Sequence, residues 1–332
     1  MRVLFVGGTG NLSGACVERA LEAGHDVTVL TRQQRPYRWG DRVRMRQGDR
    51  DDPETLAAAA EELRPDAVAD FVAFRPEQVE AALAALRGRA GQYVFISSAS
   101  VYQKPPTRPV ITEDTPLENP FWEYARLKIA CEDRLRRAHA EEGFPATIVR
   151  PSYTYGETWI PSGFGGQDYT VVDRMRRGRP VVCHGDGTAL WVMTHASDFA
   201  VGLVGLLGHP GALGEAVHIT SDEVLTWNRI YELMGRAAGC EPVVVHVPTD
   251  LIVALCPERG PSLVGDKAHS AIFDNSRIRR LVPEFSPRVG FAEGIARSVA
   301  WFDADASRRT VNADTNRIVD RLVAAQARAL EG

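Results

Sequence analysis

Residues 1–14 read MRVLFVGGTGNLSG, and the order within that stretch decides the fold. Four apolar residues, VLFV (3–6), run into glycines at 7, 8 and 10, and helical spacing follows from Ala15 to Ala23. A strand that turns this sharply into a helix needs residues without side chains, because the backbone must closely approach whatever sits at the helix N-terminus. Free N–H groups and the positive end of the helix dipole favour an anion there, and the pyrophosphate of a dinucleotide is the expected one. Gly7 and Gly10 shape the turn; Thr9, Asn11 and Leu12 are the expected neighbours of the phosphates. Ser13 stands where the fingerprint has its third glycine. It is small and followed by Gly14, so only a modest adjustment of helix against strand is required.

The alternation continues outward from this turn. VTVL (27–30) predicts a second strand and VRMRQGD (43–49) an edge-like third. DPETLAAAAEEL (52–63) predicts a helix capped by Asp52, AVADFVAF (67–74) a strand, PEQVEAALAALRG (76–88) a helix and QYVFISS (92–98) a strand. Short apolar strands alternating with helices predict an α/β fold, a Rossmann-type doubly wound parallel sheet covered on both faces. The second half differs in character. Residues 152–190 are rich in glycine, proline and aromatics; AVHIT (216–220) and VVVHVP (243–248) predict strands around a helix at 225–239, and 313–330 an amphipathic helix. The expected division is a dinucleotide-binding domain at 1–151, with a return segment near 192–207, and a smaller C-terminal α/β substrate-binding domain at 152–332.

Composition narrows the class. The 332 residues are 44% hydrophobic and 25% charged, with a formal net charge of −4, the balance of a soluble globular protein. That charge gives no reason to expect a nucleic-acid or membrane partner. No apolar run reaches the roughly 18 residues of a membrane span, and the chain opens on a strand rather than a signal peptide, so the expected location is cytoplasmic. Five dispersed cysteines without a CxxC pair read as reduced thiols, and no metal site is expected.

The second strand ends in Leu30, Thr31, Arg32, without the carboxylate that would bind the ribose 2′-hydroxyl of NAD. Arg32, with Arg35 and Arg38 nearby, would instead pair with the 2′-phosphate of NADP; a solvated basic loop is the competing reading. The cofactor expectation is NAD(P), with NADP(H) favoured over NAD, and Asp49 in QGDRDD is expected to meet the adenine amino group. In WEYARLKIA (122–130), Tyr124 and Lys128 stand at i and i+4, stacked on one helix face. An ammonium beside a phenol favours phenolate and is expected to lower a pKa that is ordinarily about 10. In FISSASVY (95–102), Ser97 or Ser98 would present a hydroxyl at the carboxyl end of a strand, where open parallel sheets bind ligands.

Taken in order, the glycine turn, SSASVY and YARLK resemble the short-chain dehydrogenase/reductase superfamily. IVRPSYTYG (148–156), HGDGTALWVMTHASDFA (184–200) and FDNSRIRRLVPEF (273–285) resemble its extended branch, the NAD-dependent epimerase/dehydratase family. The resemblance implies Tyr124 as catalytic acid/base, Lys128 as its partner and a holder of the nicotinamide ribose, and Ser98 as the catalytic hydroxyl, with Ser97 the alternative. It implies Pro151 and Ser152 beside the nicotinamide, a structural role for His195 and Asp198, and a homodimer in which Leu127, Cys131 and Leu135 serve at the interface or in the core.

Two departures bear on function. DFVAF (70–74) replaces a His-Leu-Ala-Ala type segment, so Phe71 and Phe74 are either core or a reshaped nicotinamide wall. Trp191 stands where many nucleotide-sugar members of the family carry an arginine for the substrate diphosphate. Either Arg174, Arg176, Arg177 or Arg179 supplies that charge, or the substrate has no diphosphate. The expected function is an epimerase or dehydratase acting on a nucleotide-activated sugar or related polyol through a transient ketone. The alternatives are an NADPH-dependent carbonyl reductase or dehydrogenase acting on a small molecule without a diphosphate, and a non-catalytic RNA-associated relative.

Overall fold

The computed structural model describes residues 1–33, 37–163 and 168–331. Seven strands form one parallel sheet: β1 (Arg2–Val6), β2 (Asp26–Thr31), β3 (Arg44–Gln47), β4 (Ala67–Asp70), β5 (Tyr93–Ile96), β7 (Ala146–Pro151) and β11 (Ala216–Ile219). Their order is β11-β7-β5-β4-β1-β2-β3, so chain direction across the sheet reverses between β1 and β4. That switch point is where a doubly wound sheet opens a crevice at its carboxyl edge.

Alternation along β1 shows why both faces are covered. Val3 and Phe5 join the cluster formed with Cys16 and Val17 of α1 (Asn11–Glu22) and with Phe199 and Leu203. Leu4 and Val6 point the other way, into a cluster with α2 (Pro53–Leu63), α3 (Pro76–Leu86) and α4 (Glu123–Glu142). Cys131 and Leu135 of α4 are fully buried in this second layer, so both are core residues and neither is free for an interface.

Element boundaries follow local chemistry. Asp52 caps α2 as expected, accepting from the Glu54 N–H at 3.0 Å. The first helix begins at Asn11, four residues before its apolar periodicity, because the glycine turn is itself its cap. Strand β4 stops at Asp70 instead of continuing to Phe74. Its carboxylate accepts from the Val72 N–H (3.0 Å), and Gln78 Oε1 accepts from the N–H groups of Phe74 and Arg75 (2.6 and 3.0 Å), so side chains replace the ladder.

The second half contributes β8 (Tyr153–Tyr155), β10 (Leu190–His195) and β12 (Val224–Thr226) as one small sheet, and β9 (Val181–His184) paired with β13 (Val244–Val247). A third pair joins β6 (Val110–Ile111) to β14 (Ile272–Phe273). Elements of the second half also lie on the first layer. Helix α6 (Ala196–Leu206) lies on α1, β11 forms the sheet's outer strand, and the helix Ser276–Leu281 packs against both α6 and β11. His195 caps α6 through the Ser197 N–H (3.3 Å), and Asp198 Oδ2 accepts from the N–H groups of Arg288 and Val289 (3.1 and 2.9 Å). Among the described residues no helix is long and apolar enough to cross a membrane.

Candidate active site

One cleft of about 710 Å³ opens at the carboxyl edge of the sheet. Gly7, Thr9, Gly10, Asn11, Leu12, Arg32, Asp49, Ser98, Tyr124, Lys128 and Pro151 all line it, so the residues expected to hold the coenzyme and carry the chemistry share a single space. The phosphate end is built by the glycine turn. Gly7 has φ +84°, and a Cβ there would come within 2.6 Å of Val72 Cγ1, so only glycine fits. The first turn of α1 carries no acidic residue, leaving its N–H groups free for an anion. A dinucleotide therefore fits the cradle on both shape and charge.

Ser13 is more than a tolerated substitute. Its hydroxyl donates to the Gly7 carbonyl (2.7 Å) and accepts from the Gly10 N–H (2.9 Å), tying the two ends of the turn together. The residue is buried. Ser13→Ala leaves a carbonyl and an N–H without these partners, and each hydrogen bond lost costs about 1 kcal/mol. NAD(P)H binding followed by fluorescence titration is expected to weaken by roughly five- to tenfold; unchanged affinity would show that the turn holds its shape without the hydroxyl.

At the adenosine end, Arg32 and Asp49 are both exposed on the cleft wall. Asp49 Oδ1 accepts from the Asp51 N–H at 3.0 Å. Arg38 is drawn away toward Glu18 (3.7 Å), and Arg35 lies outside the described residues. Two further cations line this wall that sequence reasoning missed, Arg50 and Arg75. Arg50 is buried, donating to Asp70 (3.0 Å) and to the Gln78 carbonyl (2.5 Å), and Asp70 also accepts from the Tyr93 hydroxyl (3.0 Å). The signal was Asp70 itself, a carboxylate ending an otherwise apolar strand, which must find a partner when buried.

The nicotinamide end distinguishes the two serines. Ser97 is buried and donates to Glu132 (2.5 Å), inside an ion-pair network behind the sheet. Ser98 Oγ accepts from the N–H and the hydroxyl of Ser100 (3.2 and 2.9 Å), which leaves its own proton for Tyr124 on the cleft side. The rings of Phe74 and Trp122 stand 6.3 and 4.9 Å from that of Tyr124. Lys128 is buried, donates to the carbonyls of Ala73 and Ile96 (both 2.7 Å), and lies 4.5 Å from the centre of the Phe74 ring.

This geometry reverses the expected shift of the phenol. Burial pushes Tyr124 up to about 12; the Ser98 hydroxyl opposes the shift, and the Asp266 carboxylate reinforces it. Burial also brings Lys128 down to about 8. The ammonium is 5.8 Å from the Tyr124 ring centre and already spends two protons on backbone carbonyls, so desolvation outweighs its attraction for phenolate. Phe74 is also not core. It is 43% exposed and lines the cleft; Phe71 also lines the cleft but is partly buried against Phe5, with ring centres 6.2 Å apart.

Trp191 does not line the cleft. It is buried in the second half against Trp227, with ring centres 5.4 Å apart. None of the four arginines offered as substitutes lines the cleft either. Arg174 and Arg179 pair with Asp320 (both 2.8 Å), Arg176 with Asp303 (2.7 Å) and Arg177 with Asp173 (2.9 Å). Among the described residues no cluster of three or more His, Cys, Asp or Glu side chains could hold a metal.

The model of the NAD dependent epimerase/dehydratase family matches residues 3–220. The chain is 31% identical over 291 residues to the 2'-dehydrokanamycin reductase of Streptomyces kanamyceticus, covering 87% of this chain and 81% of that protein. It is 27% identical to the chloroplast stem-loop binding protein of 41 kDa b of Arabidopsis thaliana, covering 74% of this chain and 65% of the relative. In three dimensions it is similar to DesIV, the dTDP-glucose 4,6-dehydratase of Streptomyces venezuelae with NAD and TYD bound. The TM-score is 0.73 at 23% identity, covering 92% of this chain and 98% of that one.

Proposed function

This chain belongs to the NAD dependent epimerase/dehydratase family, and from that premise we propose that it is a carbonyl reductase using NADP(H), acting on a ketone of a polyhydroxylated small molecule. The observation that carries this reading is a cleft that holds Tyr124 and Ser98 together while none of the four candidate arginines enters it. The phenol, which burial keeps protonated at neutral pH, faces the cleft beside the Ser98 hydroxyl that is hydrogen-bonded to it. Two donors aimed at one space suit a carbonyl oxygen that gains negative charge during reduction.

A bound reduced nicotinamide supplies the hydride for the carbonyl carbon. Ser98 donates a hydrogen bond to the carbonyl oxygen and fixes its position. Tyr124 transfers its proton to the same oxygen, giving the alcohol. Lys128, anchored on Ala73 and Ile96, keeps positive charge beneath the phenol as it loses that proton. Phe74 and Trp122 flank the phenol and limit water around it. The commitment of all four candidate arginines elsewhere, with Trp191 in the core, supports a substrate that needs no diphosphate clamp. The reductase relative, matched along most of both chains, points the same way.

The second reading is epimerisation or dehydration of a nucleotide sugar with the coenzyme retained, supported by the likeness to DesIV. Gel filtration separates the two. Protein that loses its nicotinamide absorbance and then consumes NADPH steadily with a ketone substrate is a reductase. Protein that keeps the coenzyme and regenerates it every turnover is not. A non-catalytic RNA-associated role is disfavoured by the convergence of Ser98, Tyr124 and Lys128 and by the net charge of −4. Homodimer formation remains part of the proposal, with Leu127 the one residue of its expected face that is not buried.

The coenzyme preference rests on Arg32, exposed at the end of β2 with no carboxylate following it on the strand. Arg32→Ala is expected to weaken NADP(H) binding by roughly tenfold or more, the scale of one charge-assisted hydrogen bond at about 1.5–3 kcal/mol, and to leave NAD(H) binding nearly unchanged. Equal losses for both coenzymes, measured by titration, would remove the preference.

A further inference from the structure

Asn119 lies in the segment that leads into α4, behind the cleft lining and only 2% exposed. A buried side-chain amide has two protons to give and an oxygen to receive, and all three are placed here. One proton goes to the Ser100 carbonyl and the other to the Gly265 carbonyl, both at 2.7 Å. The oxygen accepts from the Phe121 N–H at 3.3 Å. One side chain therefore joins three segments: the loop after β5, the entry to α4, and a turn of the second half, Leu263–Lys267.

These partners matter for what they hold in turn. Ser100 is the residue whose N–H and hydroxyl donate to Ser98 Oγ (3.2 and 2.9 Å), and Ser98 is hydrogen-bonded to the Tyr124 phenol. Phe121 precedes Trp122, the cap residue of α4, whose ring centre is 4.9 Å from that of Tyr124. Asn119 thus reaches the Ser98 side of that contact through Ser100, and the Tyr124 side through the start of the helix. The Gly265 end is equally tight. A Cβ there would lie 2.9 Å from Trp122 Cβ and 3.1 Å from Asn119 Oδ1. The next residue, Asp266, stands 3.9 Å from the buried Lys104 ammonium, and the Lys104 N–H donates to the Glu118 carbonyl (2.9 Å), one residue before Asn119.

We infer that Asn119 is a positioning residue: it sets the spacing of Ser98 and Tyr124 and ties that spacing to the seating of the Leu263–Lys267 turn. The inference rests on the proposed reading of Ser98 and Tyr124 as the reacting pair. Proton transfer is sensitive to such spacing, since a displacement of about 1 Å can cost on the order of a hundredfold in rate.

The test reads Tyr124 directly and does not need turnover. Full-length protein isotope-labelled at tyrosine Cζ is saturated with NADP+ and observed by NMR, and the Tyr124 resonance is the one missing from Tyr124→Phe. Ser98→Ala is expected to move that resonance, because the phenol loses its hydrogen-bond partner. Asn119→Ala should move it in the same direction, and adding Asn119→Ala to Ser98→Ala should move it no further. Gly265→Ala, made in the second half, gives the same comparison should Asn119→Ala fail to fold. In turnover, Asn119→Ala should lower kcat by roughly tenfold or more, leave KM for NADPH nearly unchanged, and cost almost nothing in the Ser98→Ala background. A Tyr124 resonance unmoved by Ser98→Ala or by Asn119→Ala, or two shifts that simply add, would overturn the inference. The expected pattern of shifts beside undiminished turnover in Tyr124→Phe keeps the positioning of the pair and removes the proposed reaction.

Discussion

Replacing Tyr124 by phenylalanine is expected to lower kcat by about 10³-fold, within the range contributed by a positioned general acid, while NADP(H) affinity stays nearly unchanged. The substitution removes one oxygen and keeps the ring, so the contacts with Trp122 and Phe74, 4.9 and 6.3 Å between ring centres, are preserved. The bonds that close the glycine turn run through Ser13 and not the phenol, and Lys128 keeps both of its carbonyl partners. The remaining donor is Ser98, which can polarise a carbonyl, but an aliphatic hydroxyl is a far weaker acid than a phenol. Wild-type turnover in the variant, measured with NADPH and any accepted ketone, would transfer the proton donor's role elsewhere in the cleft. An equal loss of coenzyme binding and turnover would mean that Tyr124 is a coenzyme ligand first.

That prediction draws on residues visible in the sequence, whereas the state of the phenol was not. Spacing alone brought Tyr124 and Lys128 to one helix face, and the strand-end position brought Ser98 to the same edge. Spacing could not report that Lys128 would be enclosed by Phe74 and Phe95, 4.5 and 4.7 Å from their ring centres. The direction of a pKa shift depends on how much water the fold removes, and no local pattern encodes this. The choice between Ser97 and Ser98 has a similar origin. Both stand at the end of β5, and only the long-range partner Glu132, on α4, marks Ser97 as structural.

The sheet was readable for a related reason. β1, β2, β4 and β5 are local apolar runs next to periodic helices, so burial on both faces can be inferred without knowing the neighbours, and the polar RMRQ of β3 marks the edge. β11 carries the same kind of signal yet comes after the loop-rich segment, and sequence order gives no hint that it pairs with β7 at the sheet's edge. The end of β4 illustrates the opposite failure. Its apolar pattern runs on to Phe74, but Asp70 and Gln78 capture the backbone N–H groups and turn Phe74 outward to cover Lys128. Trp191 was informative as a departure, and its burial against Trp227 puts it in the core of the second half, away from the cleft lining.

The largest expected loss of stability lies behind this cleft. Glu132 and Arg150 are both fully buried and joined by a two-point ion pair, Arg150 Nη2 to Oε2 at 2.6 Å and Nε to Oε1 at 3.0 Å. Ser97 and Arg136 donate to the same carboxylate (2.5 and 2.6 Å), and Arg150 also donates to the Tyr102 hydroxyl (3.1 Å). Glu132→Ala strands the guanidinium without a counterion in the interior, which costs about 3–5 kcal/mol. A fall of roughly 10 °C in Tm is expected for a chain of this size, read by differential scanning calorimetry. Removing both charges in E132L/R150M should recover most of that loss, because an apolar pair of similar volume escapes the desolvation penalty. Function should not recover to the same degree. Arg150 precedes Pro151 on the cleft wall, and Ser97 precedes Ser98, so the network holds the backbone of the substrate-facing residues in register from behind. A double variant as stable as the wild type and with unaltered coenzyme affinity would confine the pair to folding. A single variant that loses less than 1 kcal/mol would show that water reaches the guanidinium.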